Sequence, residues 1–209
     1  MSRIKRAPMI VTSAILTLGF LFLLIAVCFR GVLTIDQLII NKIDAIRNDN
    51  LTIAIKVITN LGQFVVLYLI CIVVCVILSI KKDKTSAIFV ASSLVVSSIL
   101  STIIKYVVRR PRPVPTIMTN VGYSFPSAHS MLSLALYVSI LVVAFKYVKP
   151  RWARILLTLA VIILEVTIVF TRLYLGVHYL SDCLAGLMIA GAIIPIAYYI
   201  THRKIQFTY

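Results

Sequence analysis

The chain has 209 residues, 61% of them hydrophobic and 13% charged, with a mean hydropathy of +1.07, which excludes an ordinary soluble domain. Its net charge of +15 reflects a shortage of acids, six Asp and Glu against 21 Lys and Arg. No nucleic-acid partner is expected, because long apolar runs make the bilayer the solvent and leave the cations to anionic headgroups or an anionic substrate.

The first apolar run, residues 7–29, follows a basic start. It is longer than the apolar region of a signal peptide and no small-residue cleavage site follows it, so it reads as a retained span. Residues 34–50 differ. Thr34 and Gln37 have capping-box spacing, and Ile35, Leu38, Ile39, Lys42, Ile43 and Ile46 recur at helical spacing. This segment is an amphipathic helix in the interface or a packed connector.

Residues 57–80 form a second span, with Asn60 and Gly62 marking an irregularity at its start, and residues 85–104 form a third. The stretch from 113 reads as loop until a fourth span begins near Ala128, and residues 153–172 and 179–201 supply the last two. Residues 1–209 therefore predict an all-α, single-domain bundle of six transmembrane helices without internal repeats. Cys28, Cys71, Cys75 and Cys183 fall in or at the ends of apolar runs without zinc-type spacing, and read as small buried apolar residues.

Loop charge sets the orientation. Arg3, Lys5 and Arg6, then Lys81, Lys82 and Lys84, then Lys146, Lys149, Arg151 and Arg154, and finally Arg203 and Lys204 share one side, which should be cytoplasmic together with both termini. The other side carries Lys105, Arg109, Arg110, Arg112 and Arg172 against that trend. Those charges need a reason to be there.

Three clusters meet at that outer end. His178 and Asp182 are four apart, so on a helix they share a face; the carboxylate would accept the Nδ1 proton and leave Nε2 free for attack. Arg172 lies just before them, with a planar fork suited to phosphate oxygens. Ser127 is placed to cap the fourth span, whose first amides make an anion site, and His129 in that first turn could protonate a leaving oxygen. Ser93, Ser97, Ser101 and Lys105 form a stripe at fours that should face other helices, turning Lys105 inward. Arg109 is assigned to headgroup contact, and Arg110 stands open between headgroup and substrate.

The ensemble suits a phosphate handled without metal or other cofactor, since the acids on this side are Asp36, Asp44 and Asp49 in the connector, and Asp182. Glu165 lies deep in the fifth span, roughly 10 Å along the axis from Arg172. It reads as a protonated carboxyl hydrogen-bonded to neighbouring helices, with a substrate-tail or gating role as the alternative.

In this form the residues resemble the type 2 phosphatidic acid phosphatase family, related in its site to vanadium haloperoxidases. Lys105 with Arg112 and Pro113 matches the first family motif; Pro126, Ser127 and His129 match the second, with Ala128 where Gly is usual; Arg172, His178 and Asp182 match the third, with Thr171 where Ser is usual. The motifs span residues 105–182. The resemblance implies a phosphohistidine on His178, oriented by Asp182, with His129 as general acid and Lys105, Arg112, Ser127, the Ala128 amide and Arg172 binding phosphate. It implies a membrane lipid phosphatase or diphosphatase acting on undecaprenyl diphosphate, phosphatidylglycerol phosphate or phosphatidic acid at the outer face. A lipid phosphotransferase would use the same residues. An anion channel or transporter would explain the cations, but not the two histidines.

Overall fold

The computed structural model describes residues 6–114, 116–118 and 122–204. Arg3 and Lys5 of the basic start, the Lys204 side chain, and residues 115 and 119–121 of the loop after the third span lie outside what is described. Among the described residues all regular structure is helical. The helices are α1 (Arg6–Arg30), α2 (Thr34–Asp44), α3 (Asp49–Ile58), α4 (Phe64–Ile80), α5 (Lys84–Val108), α6 (Ala128–Tyr147), α7 (Arg151–Tyr174) and α8 (Leu180–Lys204). Five of these, α1, α5, α6, α7 and α8, are long and apolar enough to cross a bilayer.

The second predicted span is not one straight helix. The 17 residues of α4 reach about 25 Å, short of a hydrocarbon core of about 30 Å. The missing length comes from α3, joined to α4 through a 3₁₀ turn at Thr59–Gly62, the pair bent by 44°. The extended Gln63 breaks the helix, at the irregularity that Asn60 and Gly62 signalled.

The expected amphipathic helix is present as α2, but its cap is shifted by one residue. Leu33 precedes the helix, and its N–H donates to the Asp36 carboxylate at 3.2 Å, while Gln37 bonds Asn41 instead. The helix stops at Asp44 because Asn48 starts a second one, its side chain accepting from the Leu51 N–H at 2.9 Å. Ile43 and Asp36 face inward, whereas Ile35, Leu38 and Ile46 are exposed.

Inside the bundle α8 is the common partner, packing on α1, α5 and α6. Lipid tails are as apolar as leucine, so close packing of small residues holds such helices together. A Cβ on Gly191 would lie 2.9 Å from Leu16, and one on Gly19 3.1 Å from Met188. The Ser13 hydroxyl completes this contact by donating to the Ala192 carbonyl. Phe89, Leu94, Met131, Ala135, Leu136 and Ala190 fill the core between α5, α6 and α8. Ser93, Ser97 and Ser101 are buried, as the stripe predicted. Cys71 and Cys183 are buried as expected, but Cys28 lies exposed on α1, because that helix buries little more than the strip facing α8.

Candidate active site

The ends of α5 and α7 and the starts of α6 and α8 meet at one end of the bundle, and each brings one part of the predicted constellation. The start of α6 is set by Ser127, whose hydroxyl accepts from the Ser130 N–H at 3.5 Å and the Ser130 hydroxyl at 3.1 Å. Ala128 is the first helical residue. Among the described residues positive φ outside glycine occurs only at Lys82 and Arg109, so alanine sits there without backbone strain. The start of α6 is tied to α8 by the Ser127 N–H donating to the Asp182 carbonyl at 3.0 Å. A Cβ on Gly186 would sit 2.7 Å from the Ser127 carbonyl, so glycine admits this close approach.

His178 is not on α8. It precedes the helix, in the turn that follows the positive-φ Gly176. Asp182, three residues into the helix side of this junction, reaches back to accept the Tyr179 N–H at 2.9 Å, as an acid in the first turn does. The same oxygen lies 3.4 Å from His178 Nδ1. That is ion-pair distance without hydrogen-bond geometry, and Nδ1 has no hydrogen-bond partner among the described residues. The opposite ring nitrogen, Nε2, faces the Arg112 guanidinium at 3.5 Å.

Three cations lie close enough to act on the His178 ring electrostatically. Arg112 is braced by the carbonyls of Gly122 at 3.0 Å and Val177 at 2.8 Å. Lys105 donates to the Tyr123 carbonyl at 2.9 Å. Arg172, 2% exposed, donates to the Thr59 hydroxyl at 2.7 Å, and its buried Nε has no partner among the described residues. Burial holds the His178 imidazole well below its usual titration range, and Lys105, Arg172 and Arg112 act in the same direction. His178 is therefore neutral at pH 7, with a lone pair on the nitrogen that faces the cations.

His129 projects from the first turn of α6 towards the α3–α4 break, where a Cβ on Gly62 would lie 3.2 Å from its ring. Arg172, His178, Lys105 and Arg112 are all close enough to act on it electrostatically. Lys105, Arg112, Ser127, His129, Arg172, His178 and Asp182 thus belong to one cluster. Glu165 lies apart, its carboxylate accepting from the Ser133 hydroxyl at 2.8 Å.

Sequence reading missed two residues here, Thr59 and Asp36, and left a third, Arg110, open. Thr59 holds Arg172, and its hydroxyl lies 3.1 Å from that of Thr171. The Arg110 side chain is 3% exposed and ion-paired with both Asp36 and Asp182. Its charge is paired with these carboxylates, whereas Arg109 is exposed, caps α5 with its left-handed backbone and donates to the Tyr106 carbonyl at 3.0 Å. Asp36 is fully buried rather than part of a polar connector face. The only sequence signal for the pair was an acid among few acids and an arginine next to a motif. Among the described residues no group of three or more His, Cys, Asp or Glu is placed to hold a metal ion.

Comparison with known proteins gives a consistent picture. The chain is 31% identical over 126 residues to an undecaprenyl-diphosphatase of Sulfolobus acidocaldarius, covering 57% of each chain. It is 35% identical over 82 residues to a lipid A 4'-phosphatase of Bacteroides thetaiotaomicron, covering 39% of this chain and 33% of that one. The chain thus matches 57% or less of the length of either relative. Its fold is similar to that of a transmembrane PAP2-type phosphatidylglycerolphosphate phosphatase from Bacillus subtilis. That match has a TM-score of 0.85 and 22% identity over 95% of this chain and 99% of that one. LpxE of Aquifex aeolicus shares the fold at TM-score 0.58 and 19% identity, over 78% and 92% of the two chains. Residues 86–206 match the sequence model of the PAP2 superfamily. This stretch holds all three motifs and most of the cluster just described, and the protein is a multi-pass membrane member of the PAP2 superfamily.

Proposed function

We propose that this protein is a metal-independent lipid phosphatase or diphosphatase working through a phosphohistidine on His178. The observation that carries the reading is the direction of His178, with Nδ1 towards Asp182 and Nε2 towards Arg112. A nitrogen lone pair aimed into a cluster of cations suits attack on the phosphorus of an anionic substrate.

In the first step Nε2 forms a bond to phosphorus and the bond from phosphorus to the leaving oxygen breaks. His129, as imidazolium, gives that oxygen its proton; the charge of the arriving phosphate favours the protonated ring. Asp182 supports the positive charge that develops on His178. Lys105, Arg112 and Arg172 balance the equatorial oxygens, together with the Ala128 N–H. The Ser127 hydroxyl accepts its hydrogen bonds from Ser130 and so keeps its own proton to donate. In the second step His129 takes a proton from water, the oxygen attacks phosphorus, and the P–N bond breaks to release inorganic phosphate and neutral His178.

The lysines and arginines at the far end support placing the site at the outer face. Lys81, Lys82, Lys84, Lys146, Lys149, Arg151 and Arg154 flank the opposite ends of α4 to α7, the arrangement expected of a cytoplasmic side. The names of the similar proteins span several headgroups, so the substrate class is a phosphate ester or anhydride at a lipid headgroup.

The test uses purified protein in detergent with EDTA. Phosphate release is followed from undecaprenyl diphosphate, phosphatidylglycerol phosphate and phosphatidic acid. Wild type is expected to release phosphate from at least one of them and to yield an acid-labile phosphoprotein on rapid quenching; His178→Ala is expected to do neither. Undiminished turnover by His178→Ala, or activity only on adding a divalent metal, would overturn the mechanism.

A further inference from the structure

The mechanism leaves unused a buried charge, Arg110, that donates to four different residues. Arg110 donates to the Asp182 carboxylate and to the Ser181 hydroxyl at 2.8 Å through Nη1. Through Nη2 it donates to the Asp36 carboxylate at 2.8 Å and to the Gly31 carbonyl at 2.6 Å. Its guanidinium lies 4.1 Å from the centre of the Tyr179 ring, a stacking arrangement open to arginine and not to lysine. Asp36 is equally committed. It accepts from the Ser181 N–H at 2.9 Å, from the Ser181 hydroxyl at 2.7 Å and from the Leu33 N–H.

These contacts act on the nucleophile through Asp182. One oxygen of that carboxylate is held by Arg110, and the other takes the Tyr179 N–H and faces His178 Nδ1. A carboxylate fixed at both oxygens cannot rotate about its Cβ–Cγ bond, so the oxygen opposite His178 stays in place. Arg110 holds the Asp182 oxygen that does not face His178, so it acts on the ring through that carboxylate.

We propose that Arg110 and Asp36 are positioning residues for His178. Arg110 clamps the carboxylate that orients the nucleophile, and Asp36 on α2 clamps Arg110. The inference rests on His178 being the nucleophile. It makes α2 a structural member of the reaction centre, in place of a simple link between spans.

The experiment uses the full-length protein in detergent and the lipid phosphate it turns over fastest. Asp36→Asn and Arg110→Lys are compared with wild type, with inorganic phosphate as competitive inhibitor reporting on the cation cluster. Expected is a fall in kcat of roughly 10- to 100-fold, the scale of a misplaced reacting group. KM and the inhibition constant of phosphate should stay within about twofold, and formation of the phosphoprotein should slow in step with kcat. Arg110→Gln should be lower still. If that variant fails to fold, the two conservative changes carry the test.

A kcat within about threefold of wild type in both conservative variants overturns the proposal, as does a parallel loss of phosphate affinity, which would make Arg110 part of the binding site. His178→Ala in the same assay separates the two readings. Full activity there defeats the phosphohistidine mechanism, whereas a dead His178→Ala beside active Asp36→Asn and Arg110→Lys defeats only the positioning roles.

Discussion

Arg172 donates Nη1 to the hydroxyl of Thr59 at 2.7 Å, across 113 residues of sequence. This bond gives the bent second span a task. A long arginine side chain loses entropy when it is ordered on a ligand, and the Thr59 hydroxyl holds Arg172 beforehand for the phosphate we propose that it binds. Thr59→Val is expected to weaken competitive inhibition by inorganic phosphate about tenfold, equivalent to about 1.4 kcal/mol. Thr59→Ser should restore most of the affinity. Inhibition constants that do not change in Thr59→Val would show that Arg172 is held without it.

The contact between α8 and the start of α6 gives a second prediction. An added Cβ at Gly186 would lie 2.7 Å from the Ser127 carbonyl and 3.3 Å from the Met131 backbone nitrogen. Neither is the end of a flexible side chain, so the helices must separate. Gly186→Ala should destabilise the fold by about 1–3 kcal/mol and displace the first-turn amides of α6. Thermal unfolding in detergent should occur several degrees lower, with most activity lost even below that transition.

A third prediction concerns the serine stripe. The Ser97 hydroxyl is buried and has no hydrogen-bond partner among the described residues. Removing a hydroxyl that makes no bond also removes its desolvation cost. Ser97→Ala should therefore leave turnover unchanged and stability within about 1 kcal/mol of wild type or above it. A clear loss of activity would reveal a role for this stripe beyond packing.

The pH dependence follows from His178. In the proposed mechanism the reactive form is the neutral ring, and burial with the nearby Lys105, Arg172 and Arg112 holds the pKa well below 6.5. As pH falls through 6.5 the ring in the free enzyme stays neutral. The acid limb of kcat/KM, corrected for ionisation of the substrate, should therefore lie below pH 6.5. Arg112→Gln removes one opposing charge and should move that limb to higher pH. The same shift acts on stability with a definite sign. The native state excludes a proton that the unfolded chain takes up below pH 6.5, so stability from this group falls as pH drops below that value.

Much of this was legible in the sequence for physical reasons. Apolar runs of bilayer length located α1, α5, α6, α7 and α8 to within a few residues, because a span has to be both long and apolar. The three motifs pointed to the cluster of Lys105, Arg112, Ser127, Ala128, His129, Arg172, His178 and Asp182, because helix ends bring such residues to one level of the bundle. What escaped were relationships between distant residues. Asp36 sits in a polar-looking connector, and only the tertiary fold brings it to Ser181, 145 residues away. The break after Thr59 was visible through Asn60 and Gly62, but nothing local said that its hydroxyl would meet Arg172. His178 was assigned to a helix face from its spacing to Asp182, whereas a turn and a back-reaching carboxylate produce the same proximity.

The bonds from Asp36 to Ser181, and from Ser13 to Ala192, also bear on how the molecule is made. They join the first helices of the chain to α8, the last of the described helices to leave the ribosome. Until α8 arrives, α1 lacks its main packing partner, Arg110 lacks Asp182, and Asp36 lacks Ser181. His178, the proposed nucleophile, lies in the turn just before α8. Biosynthesis thus places the long-range contacts, which are the slowest to form, at the end of assembly. A chain stalled before that point already contains Lys105, Arg112 and Arg172, yet lacks the Asp182 carboxylate that faces His178.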